Sequence, residues 1–88
     1  MNLPDHSIHN DNGSVTVFLL HGIYGAKEYW REQIKAFTGA GYRVLAWDAP
    51  GYGISALPHQ LTVDHCARAL EVLLSRHGGQ RNVVLGHS

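Results

Sequence analysis

The sequence predicts an α/β fold built on a parallel sheet, and three observations carry that prediction. Runs rich in β-branched and apolar residues at Val15 to Leu20, Arg43 to Trp47 and Asn82 to Leu85 alternate with two stretches of helical periodicity, giving strand, helix, strand, helix, strand. The runs are continuously apolar rather than alternating, as strands covered on both faces require. Each run opens into a glycine-bearing segment, where a parallel sheet collects its loops and its ligands.

The elements follow in order. Asn12-Gly13 is a turn signal that separates an extra short strand at Ser7 to His9 from the strand Val15 to Leu20. The loop His21-Gly22-Ile23-Tyr24-Gly25 comes next, its glycines permitting backbone conformations a side chain forbids. From about Ala26 to Thr38, Trp30, Ile34 and Phe37 fall on one helical stripe, and Gly39 and Gly41 end the helix. Arg43 to Trp47 is a strand, and Asp48-Ala49-Pro50-Gly51-Tyr52-Gly53 is a loop broken by proline and glycine. A second helix is expected from Thr62, its N-cap, to His77, burying Val63, Cys66, Ala67, Leu70, Leu73 and Leu74, and stopped by Gly78-Gly79. The strand Asn82 to Leu85 then leads into Gly86-His87-Ser88. With right-handed crossovers this is one domain, residues 1–14 forming an N-terminal segment and 15–88 the core. The last strand has no helix after it to cover it, so the domain reads as incomplete, and its uncovered sheet edge is a surface for self-association.

Composition narrows the function. The 88 residues are 44% hydrophobic and 16% charged, which speaks against disorder. Seven basic residues balance seven acidic ones, so no basic field recruits nucleic acid. No uninterrupted apolar run exceeds four residues, so no membrane span is expected, and no secretory signal is readable at the start. A cytoplasmic location is the expectation. The single cysteine, Cys66, rules out an internal disulfide, and the histidines at 6, 9, 21, 59, 65, 77 and 87 show no paired metal-ligand spacing. No metal and no cofactor is expected.

Gly86-His87-Ser88 at a strand end is the first half of Gly-x-Ser-x-Gly, in which a tight strand-to-helix turn projects the serine hydroxyl from the carboxyl edge of the sheet. The tripeptide alone is also what an ordinary strand-end serine looks like. Its context is a glycine-bearing loop after the first strong strand, able to turn N–H groups toward an anion. If the first and last of the strong strands are neighbours, that loop and Ser88 meet.

Three ordered motifs carry a resemblance: Val17-Phe18-Leu19-Leu20-His21-Gly22, Asp48-Ala49-Pro50-Gly51-Tyr52-Gly53-Ile54-Ser55 and Val84-Leu85-Gly86-His87-Ser88. From about residue 15 onward the sequence resembles the α/β-hydrolase superfamily, in particular its serine-nucleophile branch of esterases, enol-lactonases, meta-cleavage-product hydrolases and perhydrolases. The resemblance implies a three-layer, mostly parallel sheet, of which this chain holds the N-terminal half. It implies Ser88 as nucleophile, the backbone N–H of Ile23 as an oxyanion donor, and Tyr24 as an alternative donor or pocket residue. His21, Gly22, Tyr24 and His87 would line the binding site, and Asp48 would shape its loop. The substrate implied is a small ester, lactone or related carbonyl compound, cleaved through an acyl-enzyme. Branches that attack through aspartate, the haloalkane dehalogenases and epoxide hydrolases, are disfavoured by serine at 88. Because the triad runs serine, acid, histidine along this fold, both partners are expected after residue 88, and the chain alone is expected to be inactive. The alternative is a non-catalytic truncated product or pseudoenzyme acting as an interaction module.

Other patterns have simpler explanations. Gly51-Tyr52-Gly53-Ile54-Ser55-Ala56 imitates a dinucleotide fingerprint, but Leu57-Pro58 intervenes before any helix. Gly22 to Lys27 lacks the spacing and ending of a phosphate loop. Trp30, Ile34 and Phe37 read as core, Tyr24 and Tyr29 as candidates for an acyl pocket, Cys66 as an apolar packer, and His59, His65 and His77 as surface or packing residues.

Overall fold

In a computed structural model of the protein, residues 3–21, 30–49 and 63–86 are described. The elements are β1 (His6–His9), β2 (Val15–Leu20), α1 (Arg31–Gly39), β3 (Arg43–Trp47), α2 (Val63–His77) and β4 (Arg81–Gly86). The four strands form one sheet in the order β1-β3-β2-β4. β2 runs parallel to both β3 and β4, and β1 pairs antiparallel with β3.

The pleat sorts the apolar residues onto two faces. Phe18, Leu45 and Trp47 pack with Ala69 and Leu73 of α2, joined by the half-buried Ile8, Cys66, Leu70 and Leu74. Val17, Leu19, Val44 and Ala46 face the other way, onto Trp30, Ile34 and Phe37. Successive residues of one strand therefore serve opposite helices, which is why the strands are apolar at nearly every position.

The helices end differently from the expected boundaries. Residues 26–29 lie outside the described set, and within it α1 begins at Arg31, with Trp30 in the turn before it. Trp30 is nonetheless core, 3% exposed. At the other end Gly41 takes φ 93°, the Gly41 N–H donates to the Thr38 carbonyl and the Tyr42 N–H to the Phe37 carbonyl, both at 3.0 Å. This is the left-handed closure that glycine permits, and the Phe37 and Tyr42 rings meet edge-on beside it. On α2 the buried small residue is Ala69, and Ala67 is exposed, correcting the expected stripe. Positions 66, 69, 70, 73 and 74 follow the three-and-four spacing of one helix face, whereas 67 lies one residue off it. The expected N-cap Thr62 lies outside the described residues.

Between β1 and β2 the chain turns through Asn10 to Gly13, with the Gly13 N–H on the Asn10 carbonyl at 3.0 Å and φ 54° at Asn10. The two strands do not pair, because β3 lies between them. Gly13 instead lets the turn cross the start of β3: a Cβ there would stand 2.4 Å from the Arg43 nitrogen. All six residues of β4 are exposed, including Val83, Val84 and Leu85, in keeping with the uncovered edge foreseen from the sequence.

Candidate functional site

From β2 the chain crosses over α1 to β3 on one side, then over α2 to β4 on the other. The strand order therefore reverses between β2 and β4, and the crevice at their carboxyl ends is where an open parallel sheet binds ligands. Leu20 is in register with Gly86 there, so the two strands leave the sheet side by side. β4 runs parallel to its neighbour β2.

His21 follows β2 directly and is buried. Its Nε2 accepts a hydrogen bond from the Ala49 backbone N–H at 3.0 Å. A backbone N–H can only donate, so Nε2 supplies the lone pair and the ring proton sits on Nδ1. The Asp48 N–H donates to the Asp5 carbonyl at 2.8 Å, and Asp48 itself is 3% exposed. The exits of β2 and β3 and the entrance to β1 are thus tied together beside the crevice. Of the sequence-derived site residues, His21 stands at this junction with its Nε2 engaged in structure. Asp48 is held at the start of the loop that the second motif describes. Gly22, Ile23, Tyr24, His87 and Ser88 lie outside the described residues, as does Tyr29.

Asp5 and Ala49 are the contributors that sequence reasoning missed. Both act through backbone groups, which leave no mark in residue type. Among the described residues no three His, Cys, Asp or Glu side chains gather as metal ligands, and no helix is long and apolar enough to cross a membrane. Two cavities among the described residues lie elsewhere. One is an apolar groove on the α1 face between Phe37, Tyr42 and the exposed Val83 and Leu85, and the other a polar recess around Asp11, Arg43 and Gly79. The groove exists because nothing among the described residues covers β4 on that face.

Arg43 anchors the opposite end of the sheet. Only 9% exposed, it donates through Nε to Asp11 at 2.7 Å and through Nη1 to Thr16 Oγ1 at 3.2 Å and to the His77 carbonyl. The guanidinium thereby closes the C-terminus of α2, where carbonyls lack helical partners.

A family profile described as the alpha/beta hydrolase fold matches residues 15–88. Protein ABHD8 of Mus musculus is 35% identical over 77 residues, a match covering 84% of this chain and 18% of that protein. Epoxide hydrolase A of Mycobacterium tuberculosis is 41% identical over 83 residues, covering 85% of this chain and 24% of the relative. The crystal structure of epoxide hydrolase A from Mycobacterium thermoresistibile superimposes with a TM-score of 0.85 at 31% identity, covering 94% of this chain and 27% of that one. The chain spans between 18% and 24% of the length of these two curated relatives. The family profile runs through all three motifs, and the chain belongs to the α/β hydrolase fold family.

Proposed function

We propose that this chain supplies the nucleophile and one side of the oxyanion hole of a serine hydrolase acting on an ester, lactone or related carbonyl compound. Ser88 attacks the carbonyl carbon. The oxyanion is received by the backbone N–H of Ile23, with Tyr24 as the alternative donor or a wall of the acyl pocket. His21 and Gly22 shape that loop, and His87 flanks the serine. The alcohol leaves as the acyl-serine forms, and water then releases the acid. The chemistry needs side chains and water alone.

The observation that carries the proposal is the parallel register of Leu20 with Gly86 at the point where the strand order reverses, with His21 pinned beside it. In this fold the acid and histidine follow the serine along the chain, so these 88 residues taken alone are expected to be inactive.

A second reading rests on the 41% identity to an epoxide hydrolase, which favours an epoxide substrate. Serine at 88 weighs against it, since the resemblance assigns aspartate to the nucleophile of that branch. The complete protein, assayed on an activated short-chain ester and on an aryl epoxide, separates the two. The expected result is ester turnover that falls at least about a thousandfold in Ser88→Ala. Epoxide opening without esterase activity supports the second reading. Ester turnover indifferent to Ser88→Ala contradicts the proposal, and no turnover of either substrate points to an interaction module.

A further inference from the structure

A histidine pair lies outside the site described above. His6 opens β1 opposite Trp47, which places it on the face of the sheet that α2 covers, and His77 is the last residue of α2. Their ring centroids are 4.8 Å apart, with the planes tilted by 52°. His6 Nδ1 lies 2.9 Å from the Pro4 carbonyl, so the proton sits on that nitrogen and donates.

The charged groups that act on His77 come from its own helix and from two other segments. α2 contributes Arg76 next to His77, β3 contributes Arg43, and the turn before β2 contributes Asp11. A helix C-terminus ordinarily favours a cation, but here Arg43 already donates to the His77 carbonyl. Asp11, the acid that acts on His77, is already bonded to Arg43. A proton added to His77 therefore meets positive charge on several sides and an engaged carboxylate on one. Burial first, then His6, Arg43 and Arg76, hold His77 below the ordinary imidazole value of 6.5, with Asp11 acting in the opposite sense.

We propose that His6 and His77 form an acid-sensitive latch: while His77 is neutral, the two rings hold β1 against the end of α2; when His77 is protonated, they part and β1 loosens. Among the described residues β1 is an edge strand whose one strand partner is β3, so contacts on the α2 face help to retain it. Asp5, next to His6, carries the carbonyl that receives the Asp48 N–H. Opening the latch therefore loosens the Asp5–Asp48 tie beside the His21–Ala49 bond. Its bearing on catalysis rests on the function proposed above, whereas the latch itself does not.

The sign follows from the lowered value. Above about pH 6.5 His77 is neutral in both the closed and the open form, and the latch is closed. As the pH falls below that, the open form binds a proton that the closed form resists. The closed form loses stability until the pH passes below the folded value of His77.

Amide hydrogen exchange of the protein at about pH 7.5 and about pH 5.5, corrected for intrinsic rates, tests this. The Asp48 amide and the amides joining β1 to β3 are expected to lose protection relative to those joining β2 to β3, by at most about tenfold for one proton over one pH unit. In His77→Gln the difference should vanish, and in His6→Gln it should shrink. Equal differences in variants and parent, or uniform loss across the sheet, overturn the proposal. Should a variant not fold, NMR titration of the parent decides: His77 titrating below the ordinary value in step with lost Asp48 protection supports the latch, and titration at or above it overturns it. None of these readouts involves turnover, so failure of the latch and failure of the serine-hydrolase reading are told apart.

Discussion

His21 Nε2 accepts the backbone N–H of Ala49 at 3.0 Å, joining the exit of β2 to the exit of β3 across the carboxyl edge of the sheet. Both groups are buried, so the bond has no water to replace it. Substituting His21 by Ala leaves the amide unsatisfied, and an expected loss of about 1–3 kcal/mol should be measurable by urea denaturation. His21→Gln, whose carboxamide oxygen can accept, should recover part of the loss; no difference between the two variants would show that the bond carries little.

Arg43 and Asp11 form an ion pair whose members are unequally placed, the arginine side chain 11% and the aspartate 78% exposed. Asp11→Ala is expected to cost less than about 1 kcal/mol, as exposed pairs do. Arg43→Met strips partners from Thr16 and from the last carbonyl of α2, and is expected to cost about 2–3 kcal/mol. Comparable losses in thermal or urea unfolding would contradict this ranking.

Two glycines should respond differently to alanine. At Gly41 a Cβ meets nothing within 4 Å, so the cost is conformational alone, about 1 kcal/mol for forcing a side chain into the left-handed region. At Gly13 the Cβ would strike the Arg43 backbone at 2.4 Å, and the turn must move. Gly13→Ala should lower the denaturation midpoint more than Gly41→Ala.

The open strand β4 presents Val83 at 51% and Val84 at 47% exposure, and among the described residues its outer edge has no partner strand. Such an edge pairs with other chains. The isolated 88-residue chain is expected to sediment as dimers or larger species, and Val84→Lys to shift it toward monomer. Monomeric sedimentation of the parent at high concentration would contradict this.

Much of the fold was legible because it is written in local pattern. The apolar runs of β2, β3 and β4 and the periodicity around Ile34 and Leu73 identify the elements directly. The position of β1 was not legible. Asn12-Gly13 announces a turn, but the partner of His6–His9 is a strand more than thirty residues away in sequence. The burial of Arg43 was hidden too, since its partners Asp11, Thr16 and His77 come from separate segments. At the site, glycine-flanked motifs mark the loops, whereas the ties from Asp5 and to Ala49 use backbone atoms common to every residue. His77 looked like a surface or packing residue and is half-buried against His6, a pairing that needs the strand placed before it can be seen.

The most direct measurement is covalent trapping. The complete protein is treated with a fluorophosphonate, which labels an activated serine, and the modified peptide is identified by mass spectrometry. The account predicts a stoichiometric adduct on Ser88 that is absent in Ser88→Ala. An unlabelled Ser88 in a protein that still turns over its substrate would contradict it.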